Sequence, residues 1–218
     1  MSEPFSLLLA TTNRGKIAEL TALFGEIGLA LVPLASLAGK LAPVVEDGAT
    51  YLDNALLKAH AAAQATGMVT LAEDSGLDVD ALGGRPGVRS ARFAGEGATD
   101  AENNALLLSS LADVDDDQRA ARFRCVMVLV DPWSTGEPFV AEGRCEGTIS
   151  REPRGAGGFG YDPLFVVAGE GLTMAELPEE RKNEISHRAR AAALMRPYLA
   201  ALGAERTRAA AELLSRSS

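Results

Sequence analysis

"LLLATTNRGKIAEL", residues 7–20, is the stretch on which the fold reading turns. An apolar run of strand type, Leu7-Leu8-Leu9-Ala10, enters a short polar turn, and an amphipathic stretch begins at Lys16. A turn between a strand's carboxyl end and a helix's first turn offers free backbone N–H groups and a positive dipole end, which suit an anion. In a P-loop the lysine is followed by Ser or Thr, whose hydroxyl holds magnesium. Here Ile17 follows Lys16, and Gly15 is the turn's one glycine, so neither G-x-x-x-x-G-K nor G-x-G-x-x-G is met. Either this is an ordinary turn with a surface lysine, or it holds a phosphate whose metal ligands lie elsewhere in the chain.

Reading outward, Ile17, Leu20, Phe24 and Ile27 recur at spacings of three and four, predicting a helix over 16–27 that stops at Gly28. Residues 29–34 suit a second strand. "TYLDNALLKAHAAAQATG" (50–67) predicts a helix with Thr50 as N-cap, Asp53 three residues on, Leu52, Leu56, Ala59 and Ala63 on one face, and Gly67 at its end. "MVTLAE" reads as the next strand and "EDSGL" as the turn off its end. "GGRPG" marks a loop, and Thr99 with Glu102 forms a capping box for a helix through Leu111. "ARFRCVMVLVD" and "EPFVAEGRCEGTIS" read as two long strands, antiparallel around "PWSTGE". "REPRGAGGFGYDP" is too rich in Gly and Pro for regular structure; "LFVV" is a short strand, "TMAEL" repeats the capping-box pattern, and Ser186 opens a helix running past Leu199. Helices interspersed with strands, and long hairpin strands in the middle, give α/β architecture with a mixed sheet.

The chain has 218 residues, 47% hydrophobic and 23% charged, enough for one sizeable α/β core. A formal charge of -9 argues against a nucleic-acid or anionic-membrane partner, since both need basic surfaces, but leaves room for a small anionic ligand. Cys125 and Cys145 form no C-x-x-C and read as buried reduced thiols. No signal peptide is evident and no apolar stretch approaches the ~18 residues of a membrane span, so the cytoplasm is the expected location.

Polar residues that look misplaced fall at element ends. Thr11, Asn13 and Lys16 occupy the opening turn. Glu46 and Asp47 precede Asn54 and Lys58, which are i, i+4 neighbours and by themselves read as a surface pair. Glu73, Asp74 and Ser75 leave an apolar strand before a glycine; adjacent carboxylates there repel unless a cation is near, and carboxylates are the ligands magnesium prefers. Phe159 and Tyr161 sit among glycines, where backbone can approach a ligand and a ring can stack on a base. Lys182, His187 and Arg188 surround a helix N-terminus, where cations oppose the dipole and call for a bound anion.

Taken together, "ATTNRGK", "EDGATYLDNALLKA", "AEDSGL", "GGRPGVRSARFAG", "GGFGYDPLF", "AEL" and "KNEISHRARA" resemble, in order and from about residue 7 to 200, the noncanonical purine nucleoside triphosphate pyrophosphatases (the inosine/xanthosine triphosphatase or Ham1 family). The resemblance implies an elongated two-lobed α/β fold with a long central mixed sheet, flanking helices and the site in the cleft between lobes. It implies one such domain over 1–202, a homodimer, a Mg2+ requirement, and hydrolysis of ITP, dITP or XTP to monophosphate and pyrophosphate. The stretch Thr11, Thr12, Asn13, Arg14, Gly15 and Lys16 matches the family's triphosphate loop. Asp74 matches its catalytic and metal-binding aspartate, with Glu73 and Glu46 as further metal ligands, and Ser75 a substrate contact. Phe159, Gly160, Tyr161 and Asp162 match the base-side loop; Lys182, His187 and Arg188 match residues closing over base and phosphates. Arg188, a donor-only group, would pair with a purine 6-oxygen and meet adenine's 6-amine donor to donor. Lys16, Lys58 and Lys182 would neutralise the leaving pyrophosphate. Two departures stand out: Val45 precedes Glu46 and Asp47 where the family often has two glutamates, and Asp53 replaces a glutamate. A Maf-like pyrophosphatase is the competing enzyme reading, and a nucleotide-binding regulatory module the competing non-enzyme one. The tail, residues 203–218, matches nothing recognised and reads as a helical extension or a disordered segment.

Overall fold

The structure is a computed structural model and describes residues 5–25, 27–37 and 44–216. Six strands form one mixed sheet in the order β2-β1-β3-β4-β5-β6. They are β1 (Ser6–Leu9), β2 (Ala30–Pro33), β3 (Thr70–Val79), β4 (Ala120–Val130), β5 (Phe139–Ile149) and β6 (Phe165–Val167). β1 lies parallel to both β2 and β3, whereas β3 through β6 pair antiparallel. The helices are α1 (Arg14–Phe24), α2 (Tyr51–Thr66), α3 (Asp100–Ser110), α4 (Glu179–Ile185) and α5 (His187–Arg216). The predicted mixed α/β sheet with flanking helices is what forms.

Side chains alternate across a strand, so a strand covered on both faces reads as an unbroken apolar run. That is the state of β1. Leu7 and Leu9 pack with Leu20 and Phe24 of α1 and Met195 and Leu199 of α5. Leu8 and Ala10 pack on the opposite face with Ala55, Ala59 and Ala62 of α2. A third core around Leu107, Phe123 and Phe165 sits under α3 and β6.

Several boundaries shift for local reasons. α1 begins at Arg14 because the Asn13 side chain caps it, accepting from the Lys16 backbone N–H at 3.1 Å, and it ends at Phe24, before Ile27. Thr50 and Asp53 do form a capping box, and Gly67 ends α2 in the left-handed region. The buried stripe of α2, however, runs through Tyr51, Asn54, Ala55, Ala59 and Ala62, and Leu52 is 37% exposed. The alanines turn the helix's small side onto the sheet. "TMAEL" makes the expected turn bond, Thr173 N–H to Glu176 Oε2 at 2.7 Å, but no helix follows it; α4 starts after Pro178. Ser186 opens α5, its hydroxyl accepting from Ala189 N–H at 3.1 Å, and described residues 203–216 continue that helix.

The larger departure is at "EDSGL", which is no turn. β3 continues through it, with Glu73 opposite Met127, Asp74 opposite Val126 and Ser75 opposite Cys125 of β4. Gly76 is a glycine because other chain segments press on it: a Cβ there would meet the Gly87 carbonyl oxygen and Ser90 Oγ at 2.5 Å. β1 accompanies β3 only as far as Leu9 opposite Leu71. Beyond that point β3 has lost one neighbour, and a gap opens at the carboxyl end of β1. The helices packed on the sheet here, α1 and α2, lie on opposite faces, which is the arrangement in which open α/β sheets hold ligands.

Candidate active site

The gap is a cavity of about 600 Å³, within the usual size range of small-molecule sites. Strand alternation divides its carboxylates. Glu73 points to the α1/α5 face, where Arg188 donates to it from Nε at 2.9 Å and from a terminal nitrogen at 3.0 Å. Lys16 Nζ lies 3.1 Å from the same carboxylate, and the Cys125 thiol donates to it at 2.9 Å. Burial alone would raise the Glu73 pKa, but Arg188 and then Lys16 hold it well below the carboxylate range. Its side chain is wholly buried, and Glu73 does not line the cavity. The expectation of Glu73 as a metal ligand beside Asp74 is therefore corrected: its oxygens are committed to protein partners on the far side of the strand.

Asp74 points the other way, into the cavity. Asn54 Nδ2 donates to one oxygen and Lys58 Nζ to the other, each at 3.2 Å. Lys58 also reaches Glu46 Oε2 at 2.7 Å, so Glu46, Lys58 and Asp74 form a row. Burial raises the Asp74 pKa above the ordinary carboxylate value, outweighing Lys58 and Lys16. Burial pulls the Lys58 pKa down, but Asp74 and Glu46 more than offset it and leave it raised.

Of the opening turn, Thr11, Thr12, Asn13 and Lys16 line the cavity, and Arg14 and Gly15 do not. Arg14 is exposed. Gly15 instead seats the Phe159 ring, which a Cβ at 15 would meet at 2.6 Å. Arg188 lies over the same ring, its Cζ 5.8 Å from the centroid. Tyr161 is not an exposed stacking ring: it is buried, and its hydroxyl donates to the Ser90 carbonyl at 2.8 Å.

The three basic residues near α4 and α5 do not wait for an outside anion either. Lys182 donates to Asp162 at 2.9 Å, and Arg188 pairs with Glu73 and Glu19. The terminal Arg188 nitrogen that meets Glu73 also donates to Ser75 Oγ at 3.2 Å. With these donors committed, Arg188 is an organiser of the site, and its expected role of reading a purine oxygen loses support. His187 stacks on Phe123 at 4.8 Å between centroids. Burial, then Arg188, lowers its pKa well below the ordinary value, so it is neutral, and its buried Nδ1 has no partner among the described residues.

Two participants, Arg92 and Glu19, escape the sequence reading, and a third, Asn54, reads there as a surface residue. Asn54 joins two segments, accepting from Gly48 N–H at 2.8 Å while donating to Asp74. Arg92 donates to the Glu46 carbonyl at 2.6 Å, fixing the segment that carries Glu46. Glu19 holds Arg188 and stands 3.8 Å from Lys182. Asn54 had a signal: it and Lys58 interrupt the alanine stripe of α2. Glu19 and Arg92 had none, since their partners are distant in sequence.

The fold and this row of charges define an α/β protein with a polar ligand site at its strand ends. The chain belongs to the Ham1 family, whose profile matches residues 7–198. It is 51% identical over 197 residues to the dITP/XTP pyrophosphatase of Methylococcus capsulatus, covering 90% of this chain and 96% of that one. It is 54% identical over 185 residues to the dITP/XTP pyrophosphatase of Desulforamulus reducens, covering 85% and 90%. Among solved structures, a HAM1 protein from Coxiella burnetii matches with a TM-score of 0.81 at 40% identity, over 89% of this chain and 98% of that chain. Among the described residues, no helix is long and apolar enough to cross a membrane.

Proposed function

We propose that this protein hydrolyses deaminated purine nucleoside triphosphates (dITP, ITP and XTP) to the monophosphate and pyrophosphate; relatives of this chain are named dITP/XTP pyrophosphatase. The observation that carries the reading is Asp74: a carboxylate facing a cavity, fixed by Asn54 and Lys58, with a raised pKa. A base whose pKa lies nearer neutrality takes a proton more readily in the transition state.

In this reading the triphosphate lies across Thr11, Thr12 and Asn13 at the start of α1, with Lys16 and Lys58 against its oxygens. Asp74 accepts a proton from the water that attacks the α-phosphorus. The α–β anhydride bond breaks, and Lys16 and Lys58 neutralise charge on the departing pyrophosphate. Phe159 stacks on the base, which needs only a π-face. Neutral His187 offers it one donor and one acceptor.

The cavity's charge supports a divalent cation. Five basic residues line it, Lys16, Lys58, Arg92, Lys182 and Arg188, against the five acidic residues Glu19, Glu46, Asp74, Asp100 and Asp162. Among the described residues, the lining therefore supplies no net positive charge to a triphosphate. Among the described residues no three carboxylate, His or Cys groups gather as a metal cage. Magnesium needs none: it characteristically binds through one or two carboxylates plus substrate phosphates, and Asp74 with Glu46 fits that pattern. Bound there, Mg2+ would neutralise phosphate charge and acidify a neighbouring water.

Hydrolysis of dITP in oxygen-18 water tests the bond assignment. Label is expected in the monophosphate; label in pyrophosphate, or release of single phosphates, overturns it. The phosphate turn is tested by Lys16→Ala. Loss of a charge-assisted contact worth about 1.5–3 kcal/mol should lower kcat/KM roughly 10- to 150-fold. An unchanged kcat/KM would mean that Lys16 serves Glu73 alone.

A further inference from the structure

The loop carrying Phe159 and Asp162 is irregular, and its glycines leave its conformation to be set from outside. Gly160 is held at both of its backbone polar groups by side chains of α3. Asp100 Oδ2 accepts from Gly160 N–H at 2.7 Å, and Asn104 Nδ2 donates to the Gly160 carbonyl at 2.9 Å. Asp100 and Asn104 are one helical turn apart, so one face of α3 presents an acceptor and a donor at the spacing of a single residue's N–H and C=O.

The helix that makes this grip is itself locked. The Thr99–Glu102 capping box fixes its first turn, with Glu102 Oε2 accepting from Thr99 N–H at 2.7 Å. Asn103, beside Asn104, faces another wall of the cavity: its Oδ1 accepts from Ala94 N–H at 2.8 Å, and its Nδ2 donates to the Ala91 carbonyl at 3.3 Å. Ala91, Arg92, Asp100, Asn103 and Gly160 all line the cavity. The first two turns of α3 thus tie two cavity walls into one rigid unit.

We propose that Asp100 and Asn104 are specificity-positioning residues: by gripping both backbone groups of Gly160 they set the height and tilt of the Phe159 ring and the place of the Asp162–Lys182 pair, and so decide which purine fits. The inference rests on the reading of residues 159–162 as the base-facing loop. Neither residue is assigned contact with the reacting phosphate, so loss of the grip should weaken base recognition and leave the chemical step largely intact.

The test uses near-isosteric variants that differ in hydrogen-bonding sense. Asn104→Asp keeps shape but replaces the donor with an acceptor facing a carbonyl; Asp100→Leu removes the acceptor, and Asp100→Asn retains one. Pyrophosphate release from dITP and dATP is measured over a concentration series, with the melting temperature recorded for each variant. For Asn104→Asp, whose bond is half-buried, the KM for dITP should rise about tenfold and the dITP-to-dATP ratio of kcat/KM should fall by a similar factor; for Asp100→Leu, whose bond is exposed, both changes should be smaller, about threefold. The kcat should stay within about threefold, and Asp100→Asn should recover most of the loss. Wild-type KM and ratio in both disruptive variants would overturn the proposal. So would a fall in kcat and melting temperature with the ratio intact, which is the mark of a purely structural bond. If the wild-type protein itself does not favour dITP over dATP, it is the base-facing reading of the loop that fails, which this panel separates from failure of the grip.

Discussion

Asp74→Asn is expected to lower kcat for dITP by about 10²- to 10⁴-fold, the range a positioned general base contributes. The substitution keeps the shape of the side chain and changes two things. It removes the proton acceptor, and it leaves one oxygen where the carboxylate offered two. The carboxylate accepts from Asn54 Nδ2 at one oxygen and Lys58 Nζ at the other. An amide can satisfy only one of these donors, and Lys58 will take the oxygen. Lys58 then loses one of its two counter-charges and is freer to meet a phosphate. The variant should therefore bind dITP as tightly as wild type or more so, because a negative charge facing the triphosphate has gone. Rapid-quench turnover and equilibrium binding of dITP, measured on the same preparation, separate the two effects. Near-wild-type turnover would remove Asp74 from the chemistry, whereas loss of binding with normal turnover of what binds would make it a structural partner of Lys58.

The fold was largely legible because its signals are local. Thr50 with Asp53 and Thr99 with Glu102 form the capping boxes their spacing implies, and the paired β4 and β5 run antiparallel around the proposed hairpin. The misreading at residues 73–77 has a definite cause. "DSG" carries turn chemistry, but the requirement Gly76 meets is the close approach of residues 87 and 90, which no local pattern announces.

That one error propagated into the site. Read as a turn, Glu73 and Asp74 project together and ask for a shared metal. Held in a strand, they face opposite sides, and Glu73 becomes the buried anchor for Arg188 and Lys16. Spacing alone makes Lys182 of α4 and Arg188 of α5 call for an outside anion, yet their counter-charges come from α1, β3 and the 159–162 loop. Contacts between Arg188 and Glu73 span 115 positions of sequence, a separation at which residue spacing carries no information.

The buried pair itself yields the largest expected effect on stability. Arg188 and Glu73 have side-chain exposures of 2% and 0%. Two nitrogens of Arg188 meet the two oxygens of Glu73, a bidentate arrangement that fixes orientation as well as charge. Glu73→Gln leaves the guanidinium buried with only Glu19 as counter-charge, and the amide can accept from one of its nitrogens at most. Breaking one partner of a buried pair costs about 3–5 kcal/mol, which for a chain of this size lowers the melting temperature by roughly 6–20 °C. Because the folded-state pKa of Glu73 is depressed, the stabilisation by its ionised form is full above the ordinary carboxylate value. It fades only as pH falls toward the depressed folded value, so the gap between wild type and Glu73→Gln should be constant at neutral pH and narrow in acid. The double variant Glu73→Leu/Arg188→Met removes both charges and should regain much of the lost stability, since apolar pairs of similar volume commonly replace buried ion pairs at little cost. Thermal unfolding of the single and double variants from neutral to acidic pH measures this. A Glu73→Gln protein that melts with wild type at neutral pH would show that Glu19 suffices as counter-charge for Arg188, and that Glu73 is held in β3 for another reason.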